Sequence, residues 1–293
     1  MNSQLNIFDE EYATATVTNV ASVPQRSPFR YPGGKTWLIP VVRQWLRQEN
    51  KPVAELIEPF AGGGIVSLTA AFENLAGHIT MVEKDEEIAA VWEVLLNDKN
   101  RWLADKIVSY NLTIENVRAE LEKTGKQTHD VAFCTILKNR IFHGGILAKG
   151  SGMIKTGENG KGIASRWYPK TLYDRIIAIN YVKEKMQFIA GDAFNTLEER
   201  QGDESAYFFI DPPYTVAGKR LYNYFDVDHE RLFVLTSGLK GKFMLTYDDT
   251  AEIRQLADKY HLAYKTIPMK TTHHLKKTEI VISDNFEWWR QIR

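Results

Sequence analysis

The feature that most constrains this chain is a five-residue run, Ala-Tyr-Phe-Phe-Ile at 206 to 210, followed at once by Asp211, Pro212, Pro213 and Tyr214. The run is aromatic and branched without alternation, which is how a strand covered on both faces of a parallel sheet reads. Neither proline can donate to a ladder, so the strand ends at Asp211 and the next residues stand clear of the sheet. In open α/β sheets, ligands bind in the space beyond the carboxyl ends of the strands. Asp211 and Tyr214 are therefore expected at the rim of a site. The plainer alternative is a strand and a Pro-Pro loop whose acid caps a neighbour.

The rest of the chain alternates in the same spirit. Trp37, Val41 and Trp45 lie four apart in a predicted helix over 35–46, with Pro40 tolerable near its first turn. A short strand is expected over 54–60, an apolar helix over 65–72 and a strand over 78–85. Ile88, Val91, Trp92, Leu95 and Leu96 then fall on one helical face. Further strands are expected at 186–190, 242–247 and 279–283, and further helices at 229–239 and 251–260. Strands alternating with helices imply a doubly wound α/β sheet.

Residues 101–185 break the rhythm with a Gly- and Lys-rich stretch at 143–162, and read as an insertion between two halves of one sheet. The expected organisation is a tail over 1–24, a main domain from 25–100 and 186–293, and the insertion. The lone Cys134 excludes an intrachain disulfide and a multi-cysteine zinc site, and suits a reducing cytosol. With no leader-like N-terminus and no long apolar stretch, the expected location is the cytoplasm, without membrane attachment.

A second motif, Glu-Pro-Phe-Ala-Gly-Gly-Gly at 58–64, places Gly62, Gly63 and Gly64 between a strand and a helix, where a ligand can approach the backbone. A tight turn without ligand would use the same residues. Glu83 ends the next strand 21 residues after Gly62, the place from which a carboxylate can take the hydroxyls of a ribose. Position 67, where a dinucleotide fingerprint has a third Gly or Ala, is Ser. A pyrophosphate is disfavoured, and with it a nicotinamide-dependent oxidoreductase; a nucleoside without phosphates fits better.

A third motif, Phe-Arg-Tyr-Pro-Gly-Gly-Lys at 29–35, precedes these two. In this order, with the insertion ahead of Asp-Pro-Pro-Tyr, the chain resembles the Dam-like DNA adenine-N6 methyltransferases over about residues 26–285. The resemblance implies a Rossmann-like sheet that binds S-adenosylmethionine (SAM), an inserted target-recognition domain, double-stranded DNA as partner and no metal. A companion restriction endonuclease is a partner such enzymes can have. It further implies that Tyr31 and Lys35 line the SAM pocket, that Phe60, Gly62 and Gly64 cradle the methionine moiety, and that Glu83 binds the ribose. Asp192 is open to two readings, a contact to the SAM adenine or a helix N-cap.

For catalysis, the resemblance assigns the two acceptors for the adenine N6 hydrogens to the Asp211 carboxylate and the Pro212 carbonyl. Tyr214 is then a stacking platform for a base turned out of the duplex.

Lys and Arg equal Asp and Glu at 37 each in the whole chain, but between Glu122 and Lys185 twelve basic residues face five acidic ones. Lys149, Lys155, Lys161 and Arg166, interleaved with aromatics, are expected to meet phosphates, although a merely solvated face would share this composition. Arg140 and His143 are candidate DNA contacts, or a core-facing arginine and a surface histidine. The insertion lacks the segments typical of GATC-recognising relatives, so a different target is expected. Rival activities are N4-cytosine methylation, RNA N6-adenine methylation, and DNA binding without catalysis.

Overall fold

The computed structural model describes residues 20–30, 33–148, 150–157, 160–214, 223–270 and 276–291. Tyr31 and Lys149 lie outside them, as do most of the expected N-terminal tail and the two histidines at 273–274. Among the described residues seven strands form one sheet in the order β3-β2-β1-β4-β5-β7-β6. They are β1 (Val53–Glu58), β2 (Ala76–Glu83), β3 (Met186–Ala190), β4 (Ala206–Ile210), β5 (Lys242–Asp248), β6 (Ala263–Lys270) and β7 (Lys276–Ser283). The first five run parallel; β7 is antiparallel to both β5 and β6.

The sheet is mixed because β7 runs antiparallel to β5, and β6, a strand not expected from the sequence, pairs with β7 at the edge. Its sequence carries Pro268, which cannot donate to a ladder, and that is tolerated here because β6 is an edge strand.

Residues along each central strand alternate between two apolar layers. Tyr207 and Phe209 of β4 enter one cluster with Leu56 and Met244, while Phe208 and Ile210 enter the other with Ile57 and Leu245. This double coverage is the physical reason β4 is apolar at every position.

The first layer is built by α1 (Ile39–Leu46), α2 (Ile65–Phe72) and α3 (Glu86–Leu96). Four helices of the insertion join it: α4 (Asn100–Ser109), α5 (Ile114–Glu122), α6 (Thr128–Ile141) and α7 (Pro169–Ile179). Leu103, Phe133, Ile136 and Ile176 belong to the same buried cluster as Leu56 and Met81. The insertion helices thus share a core with the sheet. The second layer contains α8 (Ala193–Glu199), α9 (His229–Ser237) and α10 (Ala251–Lys259).

Chain order reverses across the sheet at β1, which has β2 on one side and β4 on the other. That switch point is where an open α/β sheet leaves a crevice. The glycine turn after β1, the acid ending β2 and the Asp-Pro-Pro-Tyr segment after β4 all converge there.

Candidate active site at the sheet switch point

Asp211 leaves β4 where the prolines stop the strand, and its carboxylate is already engaged on one side. Oδ1 accepts from the Thr246 hydroxyl of β5 at 2.8 Å and pairs with the Lys35 ammonium at 2.8 Å. Lys35 is only 3% exposed; it also donates to the Gly33 carbonyl at 3.0 Å and stands 3.9 Å from Glu279 of β7. Burial alone would lower the Lys35 pKa, but Asp211 and Glu279 more than offset this and hold it above its ordinary value, so Lys35 is a cation.

Tyr214 donates its hydroxyl to Glu279 at 2.7 Å, and Lys35 Nζ lies 4.8 Å from its ring centroid. Burial and the two neighbouring carboxylates push the Tyr214 hydroxyl far up, keeping it neutral.

The glycine turn is shaped from behind. Gly64 has φ of 59°, and a Cβ there would lie 2.5 Å from the Trp92 ring and 2.6 Å from the Met81 methyl. Its small size therefore serves packing beneath the turn. Trp92 Nε1 donates to the Gly62 carbonyl at 2.8 Å, fixing the turn from the α3 side.

In front, Glu83 accepts from the Gly62 amide at 2.9 Å, Lys84 at 2.8 Å and Asp85 at 2.9 Å. Burial outweighs these three bonds and raises Glu83 to about 7. Glu58, at the end of β1, is 3% exposed and accepts from both the amide of Ser67, at 3.0 Å, and its hydroxyl. Burial raises Glu58 to about 8.

These groups surround a cavity of about 490 Å³. Lys35, Glu58, Gly62, Gly63, Glu83, Asp192 and Asp211 line it, and Phe60 and Phe194 meet edge to face at 6.5 Å on its wall. The volume is that of an ordinary small-molecule site. Asp192 combines two roles: Oδ1 caps α8 through the Phe194 amide at 2.9 Å, while Oδ2 pairs with Lys84 at 2.7 Å on the cavity wall.

The structure brings together Lys35, Phe60, Gly62, Glu83, Asp192 and Asp211. Pro212 is buried beside them, Gly64 faces the core, and Tyr214 lies against Lys35 and Tyr247, with ring centroids 5.8 Å apart in the tyrosine pair. Glu58, Thr246 and Glu279 were not anticipated. Glu58 stands at the head of the quoted glycine motif and carried a signal; the other two become site residues only through strand pairing.

Arg140 requires a correction. It is 7% exposed, its guanidinium donates to the Pro28 carbonyl, and burial beside Arg175 and Arg30 lowers it to about 10. A duplex cannot reach a side chain so placed. With Asn139, which accepts from the Arg30 amide at 2.7 Å, and Arg175, which donates to Ser27 O at 3.0 Å, it anchors the 27–30 segment to the insertion. Ser27 in turn donates to Gly63 O at 2.5 Å.

Much of the insertion's basic surplus is committed in this way. Lys138 pairs with Glu87, Lys123 with Glu120 and Lys170 with Asp174. His143, Lys155 and Lys161 are exposed, and Arg166 is partly so. Among the described residues no helix is long and apolar enough to cross a membrane.

Comparison with known proteins gives three findings. No curated protein matches the chain. Among solved structures, the rRNA methyltransferase AviRa from Streptomyces viridochromogenes is 12% identical with a TM-score of 0.38, over 86% of each chain. A precorrin-6y C5,15-methyltransferase from Geobacter metallireducens is 11% identical with a TM-score of 0.37, over 94% of this chain and 93% of its own. Residues 31–132, which carry the glycine turn and Glu83 but not Asp211, match the model of the D12 class N6 adenine-specific DNA methyltransferases.

Proposed function

We propose that the protein is a SAM-dependent DNA methyltransferase that modifies N6 of adenine in duplex DNA, on a base turned out of the helix. The observation that carries this is one cavity shared by Asp211, at the end of β4, and by the glycine turn and Glu83, at the ends of β1 and β2. SAM supplies a methyl group activated as a sulfonium. The residues present suit such a cationic nucleoside. Asp192 and Asp211 face the cavity with their carboxylates, joined by Glu83 and Glu58, which burial raises to about 7 and about 8, and Lys35 is the one deeply buried cation among its described lining residues. Glu83 would take ribose hydroxyls, Gly62 and Gly63 leave room for the methionine moiety, and Phe60 and Phe194 offer apolar surface for the adenine, with Asp192 beside them.

An exocyclic adenine amine is a poor nucleophile because its lone pair is delocalised into the ring. Acceptors aimed at its two hydrogens favour a tetrahedral nitrogen with its lone pair free. Thr246 and Lys35 both engage Asp211 Oδ1, so Oδ2 is the oxygen to accept one N6 hydrogen. The Pro212 carbonyl would accept the other. Both belong to a proline-stiffened turn, and fixed geometry of this kind contributes much of the rate in a two-substrate transfer. Tyr214 would support the base, and residues 101–185 would face the duplex through His143, Lys149, Lys155, Lys161 and Arg166.

The test is transfer of labelled methyl from SAM to duplex DNA, RNA and protein in parallel, followed by nucleoside analysis. N6-methyladenine from DNA is the expected product. N4-methylcytosine, or label in RNA or protein alone, would overturn the proposal.

A further inference from the structure

Glu279 belongs to none of the three motifs, yet it is only 6% exposed, on β7 in the middle of the mixed half of the sheet. A buried carboxylate is costly unless partnered. Its partners are Tyr214, at 2.7 Å, and Lys35, at 3.9 Å. One comes from the Asp-Pro-Pro-Tyr segment and the other from the Gly-Gly-Lys segment, so Glu279 ties two motif residues that lie 179 positions apart in sequence. The two contacts differ in kind. The first is a charge-assisted hydrogen bond that fixes a ring by its hydroxyl; the second is too long for a hydrogen bond and acts through charge.

We propose that Glu279 is a positioning residue for methyl transfer: it anchors Tyr214 and shares the Lys35 charge with Asp211, so that Asp211 keeps its strength as an acceptor toward the substrate amine. The inference rests on the proposed adenine methylation. Lys35 Nζ has three hydrogens, and the structure gives it Asp211 Oδ1 at 2.8 Å and Gly33 O at 3.0 Å as near acceptors. With Glu279 neutral, the full attraction of that ammonium falls on Asp211 and polarises its electrons away from the substrate. With Glu279 present, the ammonium is balanced from two sides.

Three variants of the full chain separate the two roles. Glu279→Gln keeps an acceptor for Tyr214 and removes the charge. Tyr214→Phe keeps the charge and removes the anchor, and Glu279→Ala removes both. SAM affinity is read by calorimetry, and kcat and KM on an adenine-containing duplex.

For Glu279→Gln, kcat is expected to fall roughly tenfold, the rate equivalent of one weakened charge-assisted hydrogen bond, with KM for duplex and SAM affinity within about threefold. For Tyr214→Phe, KM for duplex is expected to rise, and a mismatch opposite the target adenine should recover part of the loss by making the base easier to turn out. Glu279→Ala should show both changes; if it does not fold, the other two still decide. Wild-type kcat in Glu279→Gln, or a kcat loss only in step with lost SAM binding, would overturn the assignment while leaving the proposed function standing. A wild-type protein that binds SAM but methylates no adenine would overturn both.

Discussion

The rim of the switch point and the basic stretch of the insertion are both charged regions, and they are built in opposite ways. At the rim, Lys35 is 3% exposed and the side chains pair with one another within the protein: Asp211 with Lys35 and Thr246, Tyr214 with Glu279, Glu58 with Ser67. In the insertion, Lys155 and Lys161 extend from a loop held by a few backbone bonds, such as His143 N to Gly152 O at 3.0 Å. Charges in a desolvated network act strongly and are little screened by salt, while exposed charges act weakly and fade with ionic strength. The rim can fix atoms in place; the insertion stretch can gather a polyanion.

If that contrast holds, the largest effect belongs to Asp211. Asp211→Ala is expected to lower the transfer rate on the order of 100- to 1000-fold, about 3 to 4 kcal/mol of lost preorganised acceptor, with SAM binding retained. Single-turnover methylation of duplex DNA beside SAM calorimetry checks this. Near-wild-type transfer would show that the rim does not organise the chemistry.

Arg140 sharpens the comparison because it belongs to the insertion by sequence and to the rim by burial. Arg140→Met removes the donor to the Pro28 carbonyl, so stability should drop by about 1 to 3 kcal/mol, the cost of an orphaned buried acceptor. The salt dependence of DNA binding should be unchanged. Urea unfolding and salt titration read the two quantities, and the reverse pattern would return Arg140 to the DNA-contacting set.

The division between what sequence disclosed and what it hid follows the same line. The β4 strand and the stop after it were legible because a doubly covered strand must be apolar at every position and two prolines must end it. Glu83 and the glycine turn were legible because their spacing is set by one strand-turn-helix-strand unit. Glu279 was hidden: it follows two lysines and a threonine, and nothing local tells that β7 turns antiparallel and carries it under Tyr214. The edge strand β6 was hidden by Pro268 and by its polar residues, Lys265 and Thr266. Arg140 looked like a contact because a local count of charge cannot separate an exposed lysine from a buried arginine that donates to a backbone carbonyl. Asp192 was read as a helix N-cap or a contact to the SAM adenine; the cap is made by Oδ1, while Oδ2 pairs with Lys84 on the cavity wall.

Glu58 tests the desolvated side of the comparison through pH. Burial raises its pKa to about 8, against an ordinary glutamate value near 4.3. Between those values the folded protein holds a proton that the unfolded chain has released. Its contribution is therefore fully present at low pH and is lost as pH rises through about 8. The slope is at most about 1.4 kcal/mol per pH unit. Glu58→Gln keeps an acceptor for Ser67 and cannot ionise, so the variant should lose less stability than wild type from pH 5 to pH 8 in urea unfolding. Parallel curves for the two proteins would mean that Glu58 stays ionised and that water or a counter-charge reaches it.

The smallest effect is expected on the exposed side, and it is the one that only salt can expose. A lysine that neutralises a phosphate releases condensed counterions, and each such contact contributes about 0.9 to the slope of log affinity against log salt. Lys155 and Lys161 together should therefore account for about 1.8 of that slope, and replacing both with alanine should flatten it by as much; adding Lys149→Ala should flatten it further. At high salt the variants and wild type should converge in affinity, since the contacts removed are already screened there. The methylation rate at saturating DNA should be untouched, because neither side chain lines the cavity that holds Asp211. An unchanged slope would show these lysines to be solvated only, and the duplex would then have to be held elsewhere. A fall in the saturating rate would instead mean that the insertion reaches the rim, through the 27–30 segment that Asn139, Arg140 and Arg175 anchor.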